Sequence, residues 1–421
     1  MRLTPDWYKT VIDFNLFEAA DSKQNLHMTH IDEDLYERGF VGAEFAIESL
    51  EDVLNTLQSN ATSAKNITVK YDGAPALWAG IDPADGKFFV GTKSVFNKTP
   101  KLYKDAKDID GNEPSGKAVK LKMALKHLSS IGIPKGTVLQ GDMMFTKGDQ
   151  KYETIDGRRY ITIHPNTLVY AYDHASDVGK QIRNADMGIV FHTTYKGGKD
   201  LQTYSASFGA DVSRLKKSRS VWVEDAFFKN VAGTATLTNQ ESRELKDLIS
   251  KAKRAISKDF DKIVEVMKLI PSAAIGAHIK SYCNSEVRAG TFNVTYSGYV
   301  QYVKDYWEKR VISKVKTEAS KDTKRAALKQ LDEELKSIKK AIDDSFKFIN
   351  AVNKAKVLVM THLTALLDSK VFVLKTNGDF IATAPEGYVA IGKEGQAVKL
   401  IDRLSFSHYN FSDGYKKGWM K

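Results

Sequence analysis

The chain has 421 residues, of which 42% are hydrophobic, and its excess of Lys and Arg over Asp and Glu gives a net charge of +11. The length predicts more than one folded unit, and the charge favours polyanionic partners, with nucleic acid first among them. Its one cysteine, Cys283, excludes an intramolecular disulfide and any zinc site built from several cysteines. The sequence also lacks the continuous apolar run of a signal peptide or a membrane span, which predicts a cytoplasmic protein without a membrane partner.

The first part of the chain predicts a mixed α+β domain. Residues 42–58 carry apolar side chains at helical spacing, which indicates an amphipathic helix. Between about 60 and 230, short segments rich in β-branched and aromatic residues are separated by Gly, Asp and Pro, a pattern typical of strands in an antiparallel or mixed sheet. A helix is expected among these strands in KAVKLKMALKHLSSIG.

Helical periodicity replaces this pattern between about 240 and 368. Steps of three and four residues predict one long amphipathic helix with apolar positions Leu328, Leu331, Leu335, Ile338, Ile342, Phe346 and Ile349. The Lys-rich stretch 314–329 is either a solvated helix face or a contact with nucleic acid.

Strand patterns return after the helical block, in VFVLKTNGDFIATA and EGYVAIGKEGQAVKLIDR. The second of these contains a Gly-Lys-Glu-Gly turn between two apolar runs, which predicts a β-hairpin. We therefore predict a helical subdomain at 236–368 that is inserted between two parts of one domain, 1–235 and 369–421.

The sharpest local motif is Val69-Lys70-Tyr71-Asp72-Gly73, which presents an amine at the end of a predicted strand. A lysine at its reference pKa of about 10.4 is protonated and not nucleophilic, so a reactive lysine requires desolvation or neighbouring cations. Taken by itself, a K-x-D-G match is weak, because an exposed lysine before a turn is the commoner case.

The order of motifs gives K-x-D-G more weight. It is followed by the acidic strand LQGD, the aromatic strand LVYAYD, E-G-Y-V and the lysine-bearing strand AVKLIDR. This order resembles that of the covalent nucleotidyltransferases, which comprise ATP-dependent DNA ligases, RNA ligases and mRNA capping enzymes. The resemblance implies a ligase-type fold of ATP-grasp-like antiparallel sheets flanked by helices. It also implies that Lys70 is the adenylylated nucleophile, that Asp72 and Gly73 complete its motif, and that Lys93 lies near the ribose or the incoming end.

The third motif and the aromatic strand imply further nucleotide contacts. Asp142 stands where the family carries an acidic residue, more often Glu, that faces the nucleotide or its metal. Tyr170 and Tyr172 stand where the family carries a ring that stacks on adenine, and they share one face of their strand by period two. Packing of one of these rings in the core is the alternative.

The fourth motif has two candidates. Residues 186–190 lie at the usual distance from the third motif but lack a Glu, whereas Glu386 begins an exact E-G-Y-V match far downstream. We favour Glu386, because the predicted hairpin brings the lysine strand of the fifth motif beside it. That strand carries Lys399 and Arg403, with Ile401 where RNA ligases usually have a second lysine.

The resemblance implies ATP as the nucleotide and Mg²⁺, or Mn²⁺, as the metal. Glu386 and Asp142 would hold the metal, since Mg²⁺ prefers oxygen ligands, and Lys399 would neutralise charge on the α-phosphate. The short tail after Arg403 cannot hold the OB-fold that DNA ligases and capping enzymes append, which favours the RNA-ligase branch and RNA as partner. THIDEDLYERG and KYDGAPALWAGIDP also resemble proteins of large tailed bacteriophages, which implies an infected bacterial cell as the setting.

Three functions therefore stand. The first is an ATP-dependent RNA ligase that transfers AMP from Lys70 to a 5′-phosphorylated RNA end for strand sealing. The second is an AMP transferase with another acceptor, and the third is a nucleic-acid-binding protein on a degenerate ligase fold. Lys70, Glu386 and Lys399 argue against degeneracy, while Ile401 and the substituted third motif argue for it.

Overall fold

The computed structural model describes residues 28–58, 63–229, 237–256, 275–367, 369–392, 397–402, 404, 406, 409–410 and 412–418. Within these residues the protein has three β-sheets and a set of α-helices, which confirms the predicted α+β class. None of the described helices is both long enough and apolar enough to cross a membrane.

The strands are short and most of them precede the main group of helices. They are β1 (Thr29–His30), β2 (Ser63–Lys70), β3 (Ala76–Ile81), β4 (Phe88–Gly91), β5 (Thr137–Thr146), β6 (Lys151–Ile155), β7 (Arg158–Ile163), β8 (Leu168–Asp173), β9 (Met187–Lys196), β10 (Ser205–Phe208), β11 (Val221–Asp225), β12 (Phe227–Lys229), β13 (Lys370–Leu374), β14 (Phe380–Ala382), β15 (Gly387–Ile391) and β16 (Ala397–Leu400).

The α-helices fall into an early group and a later group. They are α1 (Asp34–Gln58), α2 (Ala106–Asp110), α3 (Ser115–Leu128), α4 (Asp177–Asn184), α5 (Asn239–Ala255), α6 (Ile275–Arg288), α7 (Tyr296–Trp307), α8 (Glu318–Ser337) and α9 (Lys339–Ala365). Both the early helix at 42–58 and the helix predicted in KAVKLKMALKHLSSIG are present, as α1 and α3.

The first sheet has the strand order β1-β16-β15-β2-β12. The predicted hairpin is confirmed, because β15 and β16 pair in antiparallel register, and β15 also pairs with β2. One face of this sheet packs against the helices through alternate apolar side chains, as period two requires. These are Ile67, Val69, Tyr388, Ala390, Val398 and Leu400. The opposite face is therefore left for Thr68, Lys70, Val389 and Lys399.

The second and third sheets complete the strand-rich part. The second has the order β10-β9-β5-β3-β4, with β11 parallel to β9, and helix α3 packs on it through Leu121, Ala124 and Leu128. The third has the order β14-β13-β8-β7-β6. Strands after the helical block thus join strands that precede it in two different sheets.

The helical block lies between β12 and β13 in the chain, and it shares its core with the first sheet and helix α1. The structure corrects the single long helix predicted across residues 328–349. Helix α8 ends at Ser337 and α9 begins at Lys339, because Ile338 has the non-helical angles φ −110° and ψ 16°. The apolar positions from Leu331 onward are nevertheless buried. The predicted boundaries at residues 235–236 and at 368 lie outside the described residues.

An acidic run after β1 ties the first sheet to the helices. Asp32 is fully buried and accepts a hydrogen bond of 2.8 Å from Lys356 of α9, which is fully buried as well. Glu33, also buried, pairs with Lys280 of α6 at 3.2 Å. Because the Ile31 backbone N–H donates to the carbonyl of Lys399, these ion pairs fix the edge of the sheet on which Lys399 lies.

Candidate active site between two sheets

A cavity of about 130 Å³ lies between the first and second sheets. Its described wall is mostly apolar, and the side chains of Lys70, Asp142 and His192 reach it from three different strands. The lining residues are Met28, Thr68, Val69, Lys70, Tyr71, Asp142, Val190, His192, Phe208, Ala226 and Val389. A mostly apolar wall with a few converging polar groups is typical of ligand sites.

Lys70 is the last residue of β2 and is about one quarter exposed. It pairs in register with Gly387 of β15, so that the preceding Glu386 meets it directly. The Lys70 ammonium and the Glu386 carboxylate form an ion pair. Burial raises the pKa of Glu386, and the charge of Lys70 opposes this rise. The structure therefore brings together two residues more than three hundred positions apart in the sequence.

Lys399 occupies the next strand along the sheet. Lys399 of β16 lies opposite Val389 of β15, and Val389 lies opposite Thr68 of β2. Thr68 is two residues before Lys70 on the same strand, so Lys399 and Lys70 share one face of the sheet. Burial lowers the pKa of Lys399, and the positive charge of Lys70 adds to this lowering. Glu386 and Lys399 do not line the cavity itself but flank Lys70 at its edge.

Asp142 approaches Lys70 from the second sheet. It lies on β5 opposite Val190 of β9, and period two places His192 on the same face as Val190. His192 Nε2 is 3.7 Å from Asp142 Oδ2. Burial raises the pKa of Asp142 to about 7, although Lys70 opposes the rise, and burial lowers the pKa of His192 to about 4. At neutral pH His192 is therefore uncharged and Asp142 is partly ionised.

The loop after Lys70 is held against β5. The Ala74 N–H donates to the Met143 carbonyl at 2.9 Å, and the Met143 N–H donates to the Pro75 carbonyl at 3.1 Å. A Cβ on Gly73 would lie 2.6 Å from the Cβ of Asp142, so only glycine allows this approach. Gly73 thus serves the site by letting Asp142 come close to Lys70.

Asp72 is an anchor inside the protein. It is buried, and its carboxylate accepts hydrogen bonds from Asn166 Nδ2 at 2.8 Å, the Thr167 N–H at 2.7 Å and the Leu168 N–H at 3.1 Å. Its own N–H donates to Tyr170 Oη at 2.7 Å. These bonds fix the turn after Lys70 to the start of β8, and Asp72 does not line the cavity.

Tyr170 and Tyr172 do share one face of β8, but both rings are buried and neither lines the cavity. The Tyr170 ring packs on Tyr71 with centroids 5.4 Å apart, and Tyr172 packs edge-on against Trp222 at 5.9 Å. Their burial argues against the predicted stacking on adenine and favours the alternative of core packing. Tyr71 and Phe208, to which the order of motifs assigns no role, do line the cavity.

The remaining predicted site residues lie elsewhere. Lys93 is exposed at the start of a short 3₁₀ helix and does not line the cavity. Arg403 lies outside the described residues. Asp186, from the alternative fourth motif, forms an ion pair of 2.8 Å with Lys147. Of the two candidates for that motif, Glu386 is therefore the one in contact with Lys70.

A model described as a family of unknown function (DUF6267) matches residues 25–415, which include every strand of the candidate site. The chain belongs to this family. No curated protein and no solved structure matches it.

The carboxylates can be compared with the needs of a divalent cation. Within the described part of the chain there is no group of three or more His, Cys, Asp or Glu side chains placed to hold a metal. Mg²⁺ is commonly held by one or two carboxylates together with substrate phosphates, so Asp142 and Glu386 fit a site that a nucleotide completes. Burial raises the pKa of Glu386, and the negative charges of Asp72 and Asp142 add to this rise.

Proposed function

We propose that this protein is an ATP-dependent, RNA-ligase-like nucleotidyltransferase that forms a covalent lysyl-AMP intermediate at Lys70. One observation carries the proposal. Lys70 and Lys399 lie on β2 and β16 of one sheet, and Glu386 immediately precedes β15, the strand between them, although Lys70 is more than three hundred positions away from both in the sequence. Asp142 faces them from a second sheet across a cavity.

The first step is attack of Lys70 Nζ on the α-phosphorus of ATP. A nitrogen–phosphorus bond forms, the bond from the α-phosphorus to the bridging oxygen breaks, and pyrophosphate leaves. Glu386 is in contact with the ammonium and takes its proton, a role for which its burial and raised pKa suit it. Lys399 offsets negative charge that develops on the phosphate oxygens.

Mg²⁺, when bound with the nucleotide, supplies further charge neutralisation at the phosphates. Asp142 and Glu386 would hold it, with Mn²⁺ as a substitute. The apolar wall formed by Tyr71, Phe208 and Val389 suits the base of the nucleotide, so we assign base contact to Tyr71 and Phe208 in place of Tyr170 and Tyr172.

In the second stage AMP passes from Lys70 to the 5′-phosphate of an RNA end, and a 3′-hydroxyl then displaces AMP to seal the strand. The choice of RNA depends on the resemblance to the RNA-ligase branch, and the net charge of +11 suits any polynucleotide. Transfer of AMP to a different acceptor shares the first stage and differs only here.

The first stage is tested by incubating the protein with α-³²P-ATP and Mg²⁺ and then separating it on a denaturing gel. We expect a covalent label on the wild type that is lost in Lys70→Ala and is retained in Lys87→Ala, which changes an exposed lysine outside the cavity. Glu386→Gln and Lys399→Met should each lower the labelling rate by one hundredfold or more, typical of losing a general base or a charge-stabilising group. An unlabelled wild type, or equal labelling of Lys70→Ala, would refute the proposal.

The acceptor is tested by adding 5′-phosphorylated nicked RNA, single-stranded RNA and nicked DNA to the isolated labelled protein. Sealing of an RNA substrate, with release of AMP, supports the RNA-ligase function. If Lys70 is labelled but no polynucleotide accepts AMP, the second function, AMP transfer to another acceptor, replaces it. If the wild type binds RNA without ever being labelled, the third function replaces both.

A further inference from the structure

A groove of about 490 Å³ runs between helices α5 and α9 and shares no lining residue with the cavity at Lys70. Its floor is formed by small and apolar side chains, and its walls carry long cationic side chains. The lining residues on which the inference depends are Lys251, Arg254, Asp344, Lys347 and Lys354.

The cations face the groove because of helical periodicity. Lys251 and Arg254 are three residues apart on α5, and Lys347 and Lys354 are seven residues apart on α9, so each pair lies on one helix face. The apolar neighbours that pack the two helices together are Leu248, Ala252, Ala255, Val352 and Ala355. Four cationic side chains consequently meet along a single concave surface.

Acidic residues neutralise this charge only in part. Among the lining residues that the structure describes, Asp344 is the one carboxylate, and it accepts hydrogen bonds from Lys347 at 3.0 Å and Lys340 at 2.6 Å. Lys251 pairs with Asp247 at 2.7 Å.

The other two cations of the groove are not compensated in this way. Within the described ranges, neither Arg254 nor Lys354 forms an ion pair. Positive charges held close together on two packed helices repel one another, and an anion that enters the groove relieves that repulsion.

The Lys-rich stretch 314–329 differs from the groove in shape. It includes the start of α8, where Lys321 pairs with Glu318 at 2.7 Å and Arg325 with Asp322 at 3.0 Å along one exposed helix. Lys321 and Arg325 therefore have local partners, and the stretch lies along one exposed surface and not on two facing walls. Of the two basic surfaces, the groove is the better match to a chain of phosphates.

We propose that the groove between α5 and α9 binds the phosphate backbone of a nucleic-acid strand. A polynucleotide supplies several phosphates in a row, as a groove with cations along both walls requires, and contacts of this kind are independent of base sequence. This inference deepens the proposed function, on which it rests for the identity of the strand as RNA.

The test uses the full-length protein and a variant with four neutral changes, Lys251→Gln, Arg254→Gln, Lys347→Gln and Lys354→Gln. A control variant carries the same change of charge at exposed cations in and beside the strands, with Lys135→Gln, Lys151→Gln, Arg158→Gln and Lys196→Gln. Binding of a fluorescent 20-nucleotide RNA is measured by anisotropy between about 0.05 and 0.3 M NaCl, with circular dichroism to establish that each protein is folded.

We expect the groove variant to bind RNA at least tenfold more weakly at 0.1 M salt. The slope of log affinity against log salt should fall by about two to three, since each phosphate contact with a single strand contributes about 0.7. The control variant should retain most of the affinity. Equal losses in the two variants, an unchanged slope in the groove variant, or a wild type that does not bind RNA would overturn the proposal.

The labelling of Lys70 separates this proposal from the proposed function. The groove variant should still acquire the α-³²P label, and Lys70→Ala should still bind the RNA. Absence of the label in all proteins would refute the nucleotidyltransferase function while leaving the binding result in force, and normal labelling with unaltered RNA binding would refute the groove alone.

Discussion

The ion pair between Asp32 and Lys356 offers a quantitative test of how the first sheet is attached to the helices. The side chains are 1% and 0% exposed, and their charged atoms are 2.8 Å apart. Lys356→Met keeps the length and most of the volume of the side chain but removes its charge. The Asp32 carboxylate then stays buried without its cation, an arrangement that is expensive because the protein interior solvates a charge poorly.

The expected magnitude follows from this burial. Removing one partner of a buried pair costs about 3–5 kcal/mol of unfolding free energy. The matched control is Lys253→Met, which breaks the pair between Lys253 and Glu51 at 2.7 Å, where the side chains are 50% and 41% exposed. An exposed pair of this kind contributes only about 0–1 kcal/mol, so the control should be nearly neutral.

The assay is urea unfolding followed by circular dichroism at 222 nm, because the helices share one core with the first sheet. We expect Lys356→Met to shift the midpoint strongly and the double variant Asp32→Leu with Lys356→Met to recover most of the loss, since apolar side chains of similar volume can replace a buried pair. A loss below about 1 kcal/mol in Lys356→Met, or a double variant less stable than either single one, would show that the pair is solvated and that this reasoning is wrong.

Three further predictions concern the site. Because the pKa of Asp142 is raised to about 7, its carboxylate forms as the pH rises through neutrality. Binding of Mn²⁺ with nucleotide, followed by electron paramagnetic resonance, should therefore strengthen about tenfold between pH 6 and 8. A flat pH profile in the wild type, or the same pH profile in Asp142→Asn, would contradict this. Gly73→Ala places a Cβ 2.6 Å from the Cβ of Asp142 and should cost about 1–3 kcal/mol of stability, whereas Gly116→Ala in helix α3, with no atom within 4 Å of the new Cβ, should be neutral or stabilising in the same thermal unfolding experiment. Tyr170→Phe leaves the buried N–H of Asp72 without its acceptor and should cost about 1–3 kcal/mol while ATP affinity, measured by calorimetry, stays unchanged; a weaker ATP affinity with unchanged stability would instead favour the stacking role.

Local features of the sequence predicted local features of the structure. The hairpin of β15 and β16 was predictable because its turn and its two apolar runs are contiguous. Helix α1 was predictable from its apolar spacing, as was the helical character of the block that contains α8 and α9. The break at Ile338 was not, because apolar side chains continue at helical spacing across it and no Gly or Pro marks it.

The contact between Lys70 and Glu386 could not be derived from local pattern. The contact requires β15 to pair with β2, from which the whole helical block separates it in the sequence. Alternation of apolar and polar residues in a strand does not indicate which other strand it will pair with. The prediction of Glu386 came from the resemblance in motif order, and the structure places that residue in contact with Lys70. From the sequence, Asp186 and Glu386 differ as candidates for the fourth motif in their distance from the third motif. In the structure Asp186 forms its ion pair with Lys147, whereas Glu386 forms its ion pair with Lys70.

The aromatic residues show a different limit. Period two correctly puts Tyr170 and Tyr172 on one face of β8, but a sequence cannot tell whether that face looks into a cavity or into the packing between layers. Here the Tyr170 hydroxyl is needed to satisfy the backbone of Asp72, which places the ring behind the loop. Tyr71, adjacent to Lys70 in the sequence, lines the cavity in its place.

The acidic run after β1 connects the stability of the helical core with the geometry of the site. Thr29 and His30 pair with Val398 and Lys399. Asp32, two residues after His30, accepts a hydrogen bond from Lys356. The strand that carries Lys399 therefore has β15 on one side and an edge strand anchored to helix α9 on the other. In the proposed reaction Lys399 must stay beside Lys70 to act on a phosphate, so the helical block would contribute to that reaction by fixing this edge of the sheet, in addition to the nucleic acid that we propose for its groove.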